Sequence, residues 1–332
     1  MVPFKSLSLF PLRGSHLVLY YHQVGEATAG FYPDAIESDE LLRVVQGFQN
    51  LGFRFCSLNE AYQKAESSRE LSISLTSDDG LASNHQIVLP IAQKLGIPLT
   101  LFMIGKCLDN RALAWNHKLI QIKRHCSEEQ LEAALTKLGP RFQIGEEGAL
   151  GQRLFSVTDS KKDALMDLLW ELFCPETQNE YLKRTQPFLS KAQMRDLENK
   201  GAEFALHSQS HADFSRLSYP QMRSELKQNG AHLADYIRQP APFFAFPYGR
   251  ECRLDLIPQL CRDLELKAAL GLRFRICDNR QQHALWQRIS LENVNALSLE
   301  QLLLRPVARL FRPRRLFSKF RLYSNNLADS IF

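Results

Sequence analysis

Three short clusters and one isolated histidine carry side chains that could do chemistry. Asp78-Asp79-Gly80 places two carboxylates side by side at the end of an apolar alternation. Along an extended chain adjacent side chains point to opposite sides, so one carboxylate could bind a metal while the other handles a proton. The same triplet also reads as an ordinary turn with both carboxylates in water, because Asp and Gly are common turn residues. His207-Ser-Gln-Ser-His211 sets two histidines four residues apart, close enough to reach one ion from a helical turn or a compact loop, and neutral imidazoles are favoured zinc ligands. A zinc protease would carry Glu after the first histidine, where Ser208 stands, and the pair by itself also reads as two surface histidines. Pro247-Tyr248-Gly249 is an unusual strand ending. His22 closes the apolar run Leu17-Val-Leu-Tyr-Tyr and, taken alone, reads as a structural histidine where a strand leaves the core.

The elements that must position these residues follow from hydrophobic periodicity. Leu71, Ile73 and Leu75 alternate with serines, the pattern of a strand with one face in a core. The near-continuous run 17–22 predicts a strand buried on both faces. A helix is predicted from Ser38 as cap, through the stripe Leu41, Val44, Val45, Phe48 and Leu51, to Gly52; a short strand follows over 53–57. Helix 81–95, closed by Gly96-Ile97-Pro98, then strand 99–103, completes a βαβ unit and hence a parallel sheet. Residues 106–190 are charged and helical in period, with Ser127-Glu-Glu-Gln130 as a capping box and Leu165, Leu168, Leu169 and Leu172 as an apolar stripe. They predict a helical insertion covering one mouth of the α/β core. Strand 203–207, helix 219–237 and strand 243–246 resume the sheet pattern. In such folds chemistry gathers at the carboxyl ends of strands, where all the clusters above fall.

Composition sets limits on this picture. The 332 residues suffice for one large α/β domain or two small ones. A formal net charge of 41 − 36 = +5 is too mild to imply nucleic acid. Seven cysteines, odd in number and never in a Cys-x-x-Cys pair, suggest neither a disulfide framework nor a zinc ribbon and favour a reducing compartment. Residues 1–14 make a poor signal peptide, and no apolar run approaches the roughly 20 residues of a membrane-spanning helix.

Taken together and in this order, Thr76-Ser-Asp-Asp-Gly80, His207-Ser-x-x-His211 and Pro247-Tyr-Gly249 make the chain resemble the polysaccharide deacetylase (NodB-homology) family, carbohydrate esterase family four. The resemblance covers about 16–105 and 188–290. It implies an α/β fold, a distorted (β/α)7-type barrel, divided here as 1–105 and 191–300 around the helical insertion 106–190, a lid or substrate region, with 301–332 as a basic tail. It implies Asp79, His207 and His211 as ligands of a divalent metal, zinc foremost, with cobalt, nickel or manganese also compatible with the donor set. Asp78 becomes the general base, and the backbone N–H of Tyr248 an oxyanion donor. Ser77 occupies the usual Phe position. Many members carry an arginine before Pro-Tyr that orients the base; 243–246 has none, and Arg288 in Trp286-Gln-Arg-Ile289 is the expected substitute. Many also end in a Leu-x-x-His motif whose histidine protonates the departing amine. Here Leu19-Tyr-Tyr-His22 has that spacing at the other end of the chain, as in circularly permuted members, which makes His22 the expected general acid.

The implied activity is metal-dependent removal of an N-acyl group, acetyl first, from an amino sugar in a polysaccharide or lipid-linked glycan precursor. Deformylation of a lipid-linked aminosugar and a degenerate, glycan-binding member are the alternatives. Residues 305–321 hold seven basic side chains and no acidic one, interleaved with Leu310, Phe311, Leu316, Phe317 and Phe320. A solvated tail and a membrane-surface segment are both compatible with this composition, since Pro306 and Pro313 interrupt any long helix. The second reading fits a cytoplasmic enzyme at the inner membrane surface. It predicts salt-sensitive binding to anionic liposomes; equal binding by a protein lacking the tail refutes it.

Overall fold

Asp78 and Asp79 follow a strand that lies inside a closing ring of parallel strands. The computed structural model describes residues 15–25, 31–32, 35–64, 70–145, 148–272, 277–278 and 284–292; the basic segment 305–321 and the whole of 301–332 lie outside the described residues. The strands are β1 (Ser15–Tyr21), β2 (Arg54–Phe55), β3 (Ser72–Ser77), β4 (Leu99–Met103), β5 (Glu203–Leu206), β6 (Phe243–Ala245), β7 (Ala268–Gly271), β8 (Cys277–Asp278), β9 (Leu285–Gln287) and β10 (Ile289–Ser290). They hydrogen-bond in the order β10-β1-β3-β4-β5-β6-β7-β9, with β2 beside β3 and β8 beside β1. All pairings are parallel except β8 with β1.

The two ends of that order are consecutive in the chain. β9 pairs with β7 and β10 with β1, separated only by Arg288. The Arg288 N–H donates to the Gly271 carbonyl at 3.0 Å and the Leu291 N–H to that of Tyr20 at 2.9 Å, so one kinked segment straps the ring shut. Counted as one stave, β9–β10 joins β1, β3, β4, β5, β6 and β7 in a distorted (β/α)7-type barrel. β1 thereby lies between β3 and the last stave, and His22 shares the carboxyl mouth with the other strand ends.

Alternation along the strands separates two apolar layers. Leu17, Leu19, Ile73, Leu75, Leu99, Leu101, Phe204 and Phe244 face outward to the surrounding helices. Val18, Phe102, Ala205, Phe243, Ala245, Leu270 and Trp286 fill the barrel interior. The serines of β3 belong to this inner face: Ser72, Ser74 and Thr76 are all buried. Ser74 donates to the Cys56 carbonyl at 2.7 Å and Thr76 to that of Leu19 at 2.8 Å, so β3 has two buried faces rather than the one its alternation suggested. A narrow barrel has room inside for small side chains beside a few large ones, and a buried hydroxyl is tolerated once hydrogen-bonded.

The helices depart from the sequence expectation in detail. The first spans Ser38–Asn50, with Glu37 rather than Ser38 at the N-cap and no side-chain cap bond. After Gly80 a widened turn, Asn84–Val88, precedes helix Leu89–Leu95, which ends at left-handed Gly96. Between 106 and 190 the named elements among the described residues are all helices. The Ser127–Gln130 capping box forms at the start of helix Glu128–Phe142. In helix Asp159–Phe173 the buried face is Lys162, Leu165, Met166, Leu169 and Trp170; Leu172, counted in the stripe, is 62% exposed. Trp170 rather than Leu172 continues the buried arc, one residue after Leu169. No helix among the described residues is long and apolar enough to cross a membrane.

Candidate metal centre and active site

The backbone at the carboxyl mouth turns sharply at each cluster. Asp79, Ser208, His211 and Tyr248 all have left-handed backbones, with φ of 67°, 64°, 62° and 58°. Each such non-glycine conformation costs on the order of 1–3 kcal/mol, and they gather where side chains must leave the strand direction. Gly80 continues the first turn at φ 74°, a left-handed backbone that favours glycine, and a Cβ there would lie 2.5 Å from the Met103 methyl group, which would have to shift. The turn at Asp79 also corrects one expectation. The two aspartates do not diverge to opposite sides, because period-two alternation ends where the chain ceases to be extended. Both carboxylates face the same imidazole, with His207 Nε2 3.4 Å from Asp79 Oδ1 and 3.8 Å from Asp78 Oδ2.

Asp79, His207 and His211 form the tightest donor group among the described residues. His211 Nε2 lies 3.4 Å from Asp79 Oδ1 and 3.3 Å from His207 Nε2. Ligands held about 2.1 Å from a tetrahedral ion stand roughly 3.4 Å apart, which matches all three separations. Each imidazole is committed through its other nitrogen: His207 Nδ1–H donates to the Ala245 carbonyl at 2.8 Å and His211 Nδ1–H to Asn116 Oδ1 at 3.0 Å. That leaves both Nε2 lone pairs aimed at the shared space. Asp79 Oδ1 is buried and has no hydrogen-bond partner, the kind of unpaired buried anion that a cation would satisfy. Burial, helped by neighbouring histidines, holds His211 well below the ordinary imidazole range and so neutral, whereas Asp79 stays ionised despite its burial through His211, His117 and His207. The donor set therefore fits a divalent metal.

Asp78 is held from the far end of the chain. Arg288 grips it through both oxygens, Nη1 to Oδ1 at 2.6 Å and Nη2 to Oδ2 at 2.9 Å. The guanidinium stacks over Tyr20 at 4.6 Å and near Phe102 at 5.3 Å. Burial opposes ionisation of Asp78, yet Arg288 together with His207 and His22 outweighs it and keeps the carboxyl below its usual range. Tyr248 packs on His211 with ring centroids 4.4 Å apart and donates its hydroxyl to the His211 carbonyl at 3.1 Å. His22 sits at the same mouth, stacked on Tyr32 at 4.9 Å. All seven residues singled out in the sequence thus meet at the carboxyl mouth of the barrel.

Four further residues belong to it, and three of them carried no spacing signal. Glu292 accepts from the His22 backbone N–H at 2.9 Å and from His22 Nδ1 at 2.5 Å; although burial alone would lower the imidazole, Glu292 raises it to about 10. Its trace in the sequence is the period-two series Arg288, Ser290, Glu292 on one strand face. Tyr32 donates its hydroxyl to Asp79 Oδ2, and Asn116 and His117 reach in from helix Trp115–Ile122. Nothing in the sequence ties these three to residues 38 to 95 positions away.

Comparison with known proteins bears on the family and the fold. Residues 65–269, more than half of the chain, match the polysaccharide deacetylase family model. The Bacillus subtilis (strain 168) protein YxkH, which bears the polysaccharide deacetylase name, is 28% identical over 116 residues, 35% of this chain and 37% of its own length, so the match spans about a third of that curated relative. Among solved structures, the Streptococcus pyogenes deacetylase PplD in complex with acetate superposes with a TM-score of 0.56 at 18% identity, over 88% of this chain and 98% of that one. IcaB from Ammonifex degensii gives 0.55 at 16% identity, over 87% and 95%. At these identities the structural likeness is one of fold.

Proposed function

The chain belongs to the polysaccharide deacetylase family, hydrolases that act on an amide C–N bond, and from that membership we propose that it is a metal-dependent N-deacetylase of an N-acetylated amino sugar in a polysaccharide or lipid-linked glycan precursor. The observation that carries this reading is the convergence of Asp79 Oδ1, His207 Nε2 and His211 Nε2 beside an ionised, arginine-clamped Asp78. A divalent ion held by those three atoms, zinc first by donor type, supplies Lewis-acid polarisation of the amide carbonyl and acidifies a water molecule. Asp78 accepts the proton that water gives up as its oxygen bonds to the carbonyl carbon. The Tyr248 backbone N–H donates to the oxyanion that develops. His22, protonated through its contact with Glu292, delivers a proton to the amide nitrogen as the C–N bond breaks, leaving acetate and a free amine. The helical region 106–190 serves as the lid that shapes the sugar pocket, and the basic segment 305–321 as a contact with anionic lipid.

The test is acetate release from N-acetylated amino sugars, free and lipid-linked, alongside bound-metal content. We expect about one zinc per chain at the three-ligand site, with activity lost on chelation and restored by zinc or cobalt. A fully metal-loaded protein that frees no acetate from any of them overturns the reading.

A further inference from the structure

The metal centre is only half built by the barrel. Of its two histidine ligands, His207 is oriented by a strand, through the Ala245 carbonyl, whereas His211 is oriented by Asn116 of the inserted helix Trp115–Ile122. The carboxylate ligand is divided in the same way. Asp79 Oδ2 receives His117 Nε2 at 2.9 Å and the Tyr32 hydroxyl, while Oδ1 receives nothing. An ionised carboxylate can only accept, so His117 must present Nε2–H to it. The nitrogen that faces the cavity is thereby committed as a donor, and the group of donor atoms lying within 4.8 Å of one another is Asp79, His207 and His211, without His117.

We infer that helix Trp115–Ile122 is the orienting half of the metal centre, with His117 and Asn116 as positioning residues that set its metal affinity. His117 fixes the carboxylate so that one oxygen faces the ion, and Asn116 fixes the His211 tautomer so that Nε2 does. Every residue of this helix is buried. Its own anchor is Lys118, which reaches Asp163 at 2.8 Å and Asp167 at 2.6 Å on the neighbouring helix. Asn116 and His117 are therefore held by a packed element rather than by an exposed loop. Groups that orient metal ligands typically change affinity by 10–100-fold when removed. The inference rests on the metal-dependent reading above, yet its readout is binding and not turnover.

The experiment strips the full chain with a chelator and titrates zinc against a chromophoric competitor. His117→Ala and Asn116→Ala are each expected to weaken zinc binding by about 10–100-fold. His117→Gln, whose amide N–H can replace the Nε2–H donor, is expected to recover most of the loss, which a merely structural role would not do. Should an alanine variant fail to fold, the volume-preserving Asn116→Leu carries the test, with the same weakening expected. Variants that fold and bind zinc within twofold of the parent overturn the inference alone. A parent that takes up neither zinc nor cobalt overturns the proposed function with it.

Discussion

Asp78→Asn is expected to slow acetate release by about 10²–10⁴-fold while zinc uptake stays at the parental level. The side chains are nearly isosteric, and none of the three convergent donor atoms belongs to residue 78. What the amide lacks is the basic lone pair of an ionised carboxylate, which the Arg288 clamp keeps available. The substitution also leaves the Arg288 guanidinium, buried to 1% exposure, without its anion. Losing one member of a buried pair costs roughly 3–5 kcal/mol, of which the Tyr20 and Phe102 rings offset a part. The variant should therefore melt at a lower temperature, and its rate should be read well below that point on metal-saturated protein. A variant that keeps more than about a tenth of the parental rate removes Asp78 from the role of base.

The second large effect concerns the proton that leaves with the amine. His22→Ala is expected to lose about 10²-fold or more in kcat. Replacing Glu292 by glutamine should act more selectively, by moving the alkaline limb of the pH profile. Burial by itself disfavours the imidazolium, and it is chiefly Glu292 that lifts the His22 pKa to about 10. The protonated ring is the active form, so activity persists below about pH 10 and declines as pH rises through it. With Glu292→Gln the raising partner is gone and burial remains, so the decline should begin about one unit or more lower. A bound cation offsets the smaller contribution of Asp79 to that lift but not the contact with Glu292. An unchanged alkaline limb in Glu292→Gln would show that this carboxylate does not set the state of His22.

Much of this site was legible because it is written in local patterns. Asp78-Asp79-Gly80, His207-Ser-x-x-His211 and Pro247-Tyr-Gly249 each end a recognisable strand, and a turn that must leave a strand end selects its own residues, as Gly80 does against Met103. Arg288 was reachable only through the family resemblance: members carry an arginine before Pro-Tyr that 243–246 lacks, which raises the question of which other arginine stands near a strand. The direction of Asp79 was not reachable, since its left-handed backbone overrides the alternation that the preceding residues obey. The serine face of β3 misled for a related reason: polarity suggested solvent, but a closed ring turns that face inward.

The sequence by itself determined the parallel α/β architecture, the three strand-end motifs, the metal ligand types and the candidacy of His22 and Arg288. The architecture and the motifs rest on hydrophobic period and turn chemistry, which act over a few residues, whereas the ligand set and the candidacy of His22 and Arg288 rest on what the resemblance to the polysaccharide deacetylase family implies. Only the tertiary structure decided that Arg288 closes on Asp78, that Glu292 meets His22, and that Asn116 and His117 reach His211 and Asp79 from the inserted helices. These contacts join residues 38 to 270 positions apart. Their geometry is set by how the ring closes and how the helices pack over its mouth, and no local pattern encodes a distance of that kind.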